Sequence, residues 1–104
     1  MNVLFLIIKE YLSITQKLTQ AYKIENERII IERDDFKKML ERYAFTSFAE
    51  KVKAYKALNF IIYDNNNYTM PYKDKELKKT VRKVIINYKT YDTINELFKT
   101  SIEE

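Results

Sequence analysis

The chain has 104 residues, 46% of them hydrophobic and 33% charged, with 19 basic against 15 acidic side chains and a net charge of +4. That is enough apolar surface for one packed domain, and it leaves little room for a second module or a deep enclosed cavity. Histidine, cysteine and glycine are absent, which excludes catalytic triads, thiol nucleophiles, disulfides, the usual zinc sites and glycine-rich phosphate loops.

Residues 3–22 contain no helix breaker, and Leu4, Ile8, Tyr11, Leu18 and Tyr22 recur at spacings of three, four or seven, which predicts one long helix. Its first turns, from Val3 to Ile8, are apolar on every side. Such an end calls for a second packing surface, so Leu4, Phe5 and Ile8 are candidates for a partner interface or a homodimer through this helix. The same six-residue run is followed at once by Lys9 and Glu10. It is too short for a signal peptide or a membrane span, and the expectation is a cytoplasmic protein that meets no membrane.

A polar break at 24–26 precedes three consecutive isoleucines within residues 28–32, a short buried strand. Asp34 is placed to cap a helix over 34–43, with Phe36, Met39, Leu40 and Tyr43 at i, i+3, i+4 and i+7. A tight connection leads to Ser47, which has capping-box spacing to Glu50 and opens a helix over 47–58. Phe48, Val52 and Tyr55 face inward on that helix; Glu50, Lys53, Ala54 and Ala57 face outward, with Lys51 and Lys56 at the flanks. Phe60 to Asp64 and Tyr68 to Tyr72 read as a hairpin turned at Asn65, Asn66 and Asn67. Val81 to Ile86 adds a third strand, and within residues 60–87 the charged stretch before it forms a second hairpin. Asn87 is placed to cap a last helix over 88–99 that carries Tyr88, Tyr91, Ile94, Leu97 and Phe98, with a frayed tail over 100–104.

The net charge is concentrated between Lys73 and Lys83, where six basic and two acidic residues give a surplus of four, the surplus of the whole chain. A localised surplus of this kind attracts polyanions. Lys73, Lys75, Lys78, Lys79, Arg82 and Lys83, with Lys53 on the outward face of the helix over 47–58, are the candidate nucleic-acid contacts, and Tyr72 and Tyr68 offer rings for base stacking. Two plainer readings stand beside this one. A lysine-rich loop also blunts a sheet edge against aggregation, and strand tyrosines usually belong to a core. The abundance of lysine, isoleucine, asparagine and tyrosine also fits an AT-rich genome.

Helix, short strand, helix, turn, helix and a hairpin with a charged loop form an α+β chain. It resembles the winged helix-turn-helix superfamily over roughly residues 3–87, and is similar to the small winged-helix proteins of phages and other mobile elements. The resemblance rests on Asp34 to Leu40, on Ser47 to Leu58, and on Phe60 to Asp64 leading through Tyr68 and Thr69 to Arg82 to Ile86. It implies a single domain with a recognition helix at 47–58 and a wing at 73–83. Bidentate base reading calls for arginine, asparagine or glutamine, and the helix at 47–58 has none.

The expectation is therefore a small nucleic-acid-binding protein that takes DNA, single-stranded or duplex, with little base specificity, an accessory factor in replication, recombination or gene control on a mobile element. The alternative is a protein-interaction module, such as a subunit of a polymerase, primase or helicase assembly or a phage-encoded inhibitor. The one adjacent carboxylate pair, Asp34 and Asp35, is accounted for by capping and the helix dipole. No catalysis, metal or cofactor is expected.

Overall fold

A computed structural model describes residues 2–65 and 67–103, with side chains through Phe98. The chain is α+β: α1 (Val3–Ala21), β1 (Arg28–Ile31), α2 (Arg33–Glu41), α3 (Phe48–Ala57), β2 (Ile61–Ile62), β3 (Met70–Asp74), β4 (Lys79–Asn87) and α4 (Tyr88–Glu103). The middle turn of the asparagine triplet includes Asn66, which lies outside the described residues, as does Glu104 of the tail.

β4 organises a four-stranded antiparallel sheet. Its C-terminal half lies between β1 and β2, in the order β1-β4-β2, and its N-terminal half pairs with β3. Register aligns Ile29 with Ile86 and Ile86 with Ile61. Directly paired residues share a face, so these three buried isoleucines form one row toward the helices. The expected first hairpin does not form. Asp64 and Asn67 do close a turn, but the strands on either side of it pair with β4, whose nine residues are long enough to take β2 along the apolar C-terminal half and β3 along the charged N-terminal half.

With no glycine in the chain, left-handed backbone falls largely to asparagine: Asn26, Asn59 and Asn65 have positive φ, with Glu27 and Lys78. Asn59 ends α3, where its N–H donates to the Lys56 carbonyl and the Phe60 N–H to the Tyr55 carbonyl, the paired closure of a left-handed helix C-terminus.

Several expectations about the helices change. The buried face of α1 is Ile7, Glu10, Tyr11, Ile14, Thr15 and Leu18; Leu4 is exposed and Ile8 and Tyr22 are half-buried, because α3 and α4 meet α1 about one residue around the wheel. Glu32, not Asp34, stands at the N-cap of α2, and it makes no side-chain cap bond; Asp34 and Asp35 lie in the first turn, where the helix dipole favours them. Ser47 caps α3 as expected, accepting from Glu50 N at 3.2 Å, and Asn87 caps α4, accepting from Thr90 N at 3.4 Å. α4 runs on to Glu103 past the expected end at 99.

The core is an aromatic stack on this frame. The Tyr11 ring lies flat on Phe60, 3.8 Å between centroids, with Tyr55 and Tyr91 edge-on to it. The Tyr11 hydroxyl donates to the Asn87 carbonyl, fixing α1 to the junction of β4 and α4. Burial pushes the Tyr11 phenol upward in pKa, which keeps that donor protonated.

Candidate functional site

The basic segment is a ribbon. β3 and β4 pair Met70 with Lys83, Pro71 with Arg82, Tyr72 with Val81, Lys73 with Thr80 and Asp74 with Lys79. Residues 75–78 form the turn, where Asp74 Oδ1 accepts from Glu76 N at 2.9 Å and Leu77 N at 3.0 Å. This Asx arrangement closes the ribbon without glycine, with Lys78 at φ 55°.

Pairing sorts the six cations. Lys73 and Arg82 share one face of the ribbon and Lys79, Lys83 and Tyr72 the other, while Lys75 and Lys78 occupy the tip. Lys73, Lys75, Lys78 and Lys79 are exposed, and none has an ion pair or side-chain hydrogen bond among the described residues. Arg82 is engaged internally: Nε donates to Thr69 Oγ1 at 2.7 Å, and Nη2 to the Thr69 carbonyl at 2.8 Å and to Asp64 at 3.4 Å. Lys83 is bonded to Glu32 at the start of α2 and lies over the Tyr72 ring, 5.5 Å from its centroid. The Glu32 hydrogen bond also raises the Lys83 ammonium above its ordinary pKa.

Tyr68 follows the plainer reading and packs on Phe36 and Phe48 at the core margin. Tyr72 does not: it is exposed, with Lys83 across its ring. No protein-family model matches the chain, and no curated protein matches it in sequence.

Lys53 is exposed on α3. It lines a groove of about 330 Å³ with Val3, Leu4, Ile7, Ala54 and Ala57. Val3, Leu4 and Phe5 are themselves exposed, Phe5 at 50%, while Ile8 packs on the core. Leu4 and Phe5 thus remain available as a surface and Ile8 does not. Among the described residues no helix is long and apolar enough to cross a membrane.

Lys51 corrects the expectation for α3. It is 1% exposed instead of lying at the flank. Its ammonium donates to Glu10 Oε2 of α1 at 2.6 Å, to the Leu40 carbonyl at 2.5 Å and to the Tyr43 carbonyl, so all three donors are used. The Phe45 ring lies 4.3 Å from it, and Tyr55 donates to Glu10 Oε1 at 2.8 Å. Composition gives no signal for this network, because a lysine two positions from Lys53 and five from Lys56 reads as one more member of a solvated face.

Burial raises the Glu10 pKa above 4.5, against the lowering effect of hydrogen bonds from Lys51 and Tyr55 and of the Lys51 charge. A carboxyl with a raised folded pKa adds stability that is complete below its unfolded value and is lost as pH rises through the folded one. The expected result is that stability falls, relative to Glu10→Gln, as pH climbs from 4.5 through the folded value. Urea midpoints of the two proteins over that range check this; parallel curves would contradict it.

Proposed function

We propose that this chain is a small winged-helix protein that binds duplex nucleic acid through the β3–β4 ribbon, mainly by charge and with little base specificity. Support for the winged-helix reading comes from the element order through β4 and the antiparallel order β1-β4-β2. On this reading α3 is the recognition helix and the ribbon is the wing.

The observation that carries the function is the disposition of four lysines unpaired among the described residues, with Lys73 on one face of the ribbon, Lys79 on the other, and Lys75 and Lys78 at the tip. A ribbon cationic on both faces suits a cleft with phosphates on two walls. The major groove of B-DNA, about 12 Å wide, admits a two-stranded ribbon. Single-strand binding instead favours free aromatic platforms beside the cations, and here Tyr68 is packed on Phe36 and Phe48 and one face of the exposed Tyr72 ring is taken by Lys83. A place as an accessory factor in replication, recombination or gene control on a mobile element follows from this reading.

Fluorescence anisotropy with labelled duplex and single-stranded oligonucleotides across a salt series tests it. With four lysines on phosphates, log affinity for duplex is expected to fall against log salt with a slope of about −3 to −4. Duplex should bind more tightly than the single strand of the same sequence. Salt-insensitive binding, or none, would remove the proposal.

The groove between the start of α1 and α3 favours a second reading, a protein-interaction module. Ala54 and Ala57 there, with Leu4 and Val3, make a surface of small and aliphatic side chains suited to helix packing. A chain without affinity for either oligonucleotide would be assigned to that class.

A further inference from the structure

The apolar stripe of α4 outruns the body it packs on. Tyr91, Ile94 and Phe98 follow at i, i+3 and i+7, one helical face. Tyr91 is 8% exposed and belongs to the core, and Ile94 packs at its margin. Phe98 is 45% exposed and its neighbour Leu97 64%. A helix of 16 residues is roughly 24 Å long, and its third turn carries these two large apolar side chains into solvent. A buried stripe that continues into an exposed pair is a surface lacking its cover. From Asp92 onward the sequence holds four carboxylates and one lysine, so pairing two such ends with each other would set like charges together.

A groove of opposite character lies elsewhere on the molecule. Ile14, Leu18 and Tyr22, at i, i+4 and i+8 along α1 and just past its end, form with Met39 of α2 an apolar groove of about 240 Å³ that Lys17 and Arg42 also line. No carboxylate is among its described lining residues. Neither cation has an ion-pair partner among the described residues. An apolar stripe one helix wide with cations beside it complements an amphipathic helix that carries apolar anchors and carboxylates.

We propose that the Leu97–Phe98 end of α4 docks into the Lys17–Arg42 groove of a second copy of the chain. The contact is reciprocal, each copy giving one helix end and one groove, which closes a two-fold dimer. It is independent of the nucleic-acid reading, since Lys73, Lys75, Lys78 and Lys79 take no part.

Sedimentation velocity of the full chain over a micromolar to hundred-micromolar range tests the proposal. The expected result is a concentration-dependent dimer that salt weakens. Phe98→Glu and Arg42→Glu each lower association on the order of tenfold or more. Both positions are exposed; should Phe98→Glu fail to fold, Leu97→Glu takes its place. An equal mixture of the α4 variant and the groove variant is decisive. Where each substitution abolishes the contact it touches, a pair of unlike chains keeps one intact helix-in-groove contact and a pair of like chains keeps none, so the mixture associates more tightly than either variant alone. A monomer throughout, a dimer that Arg42→Glu leaves intact, or a mixture no tighter than its components would each overturn the proposal.

Discussion

Replacing Lys51 with methionine is expected to cost about 3–5 kcal/mol of folding stability, the range for removing one partner of a buried ion pair. The ammonium satisfies Glu10 and the carbonyls of Leu40 and Tyr43 in an enclosed site. Without it a carboxylate remains in low dielectric and the end of α2 loses a donor to its last carbonyls. Adding Glu10→Gln to Lys51→Met removes the uncompensated charge and should restore part of the loss. Urea unfolding of wild type, both single variants and the double variant gives the coupling directly. A loss below about 1 kcal/mol for Lys51→Met would mean that the pair is dispensable. The network ties α1, the end of α2 and α3 at one point, so the double variant is expected to loosen the angle between α2 and α3 even where stability recovers.

The contrast between Lys51 and its neighbours shows what was legible in the sequence. The order of helices and strands, the Ser47 and Asn87 caps and the basic hairpin could be read because period, cap chemistry and turn residues are local signals. The buried face of α1 was misplaced by about one residue, since Val3 to Ile8 is apolar all round and offers several stripes at nearly equal spacing. What selects among them is tertiary: Tyr11 stacking on Phe60, and Glu10 needing Lys51 from across the core. The hairpin at Asn65 to Asn67 failed for a related reason. Turn chemistry fixes where the chain reverses and leaves open which strand it then meets, and β4 is the longest strand among the described residues. For the candidate site, charge was legible and its partners were not. Arg82 and Lys83 belong to the basic run in sequence, yet they are tied to Thr69, Asp64 and Glu32, which lie 13, 18 and 51 residues away.

That division separates function from structure within one ribbon. Reversing Lys73, Lys75, Lys78 and Lys79 to glutamate is expected to lower duplex affinity at least on the order of a hundredfold and to flatten its salt dependence toward zero. Stability should change little, because these side chains are exposed and unpaired among the described residues and strongly destabilising substitutions require a broken buried contact. Arg82→Ala is expected to do the reverse. It removes the donors that hold the Thr69 carbonyl and Oγ1, and Thr69 is buried, so a loss on the order of 1–3 kcal/mol follows from the unsatisfied groups. Its effect on the salt slope should be small, since Asp64 already occupies part of its charge. Anisotropy and thermal unfolding on the same two proteins check both halves. If the quadruple variant keeps wild-type affinity, the ribbon is a solubilised sheet edge. If Arg82→Ala alone abolishes binding in a folded protein, the phosphate contacts lie along the strands and the tip lysines are spectators.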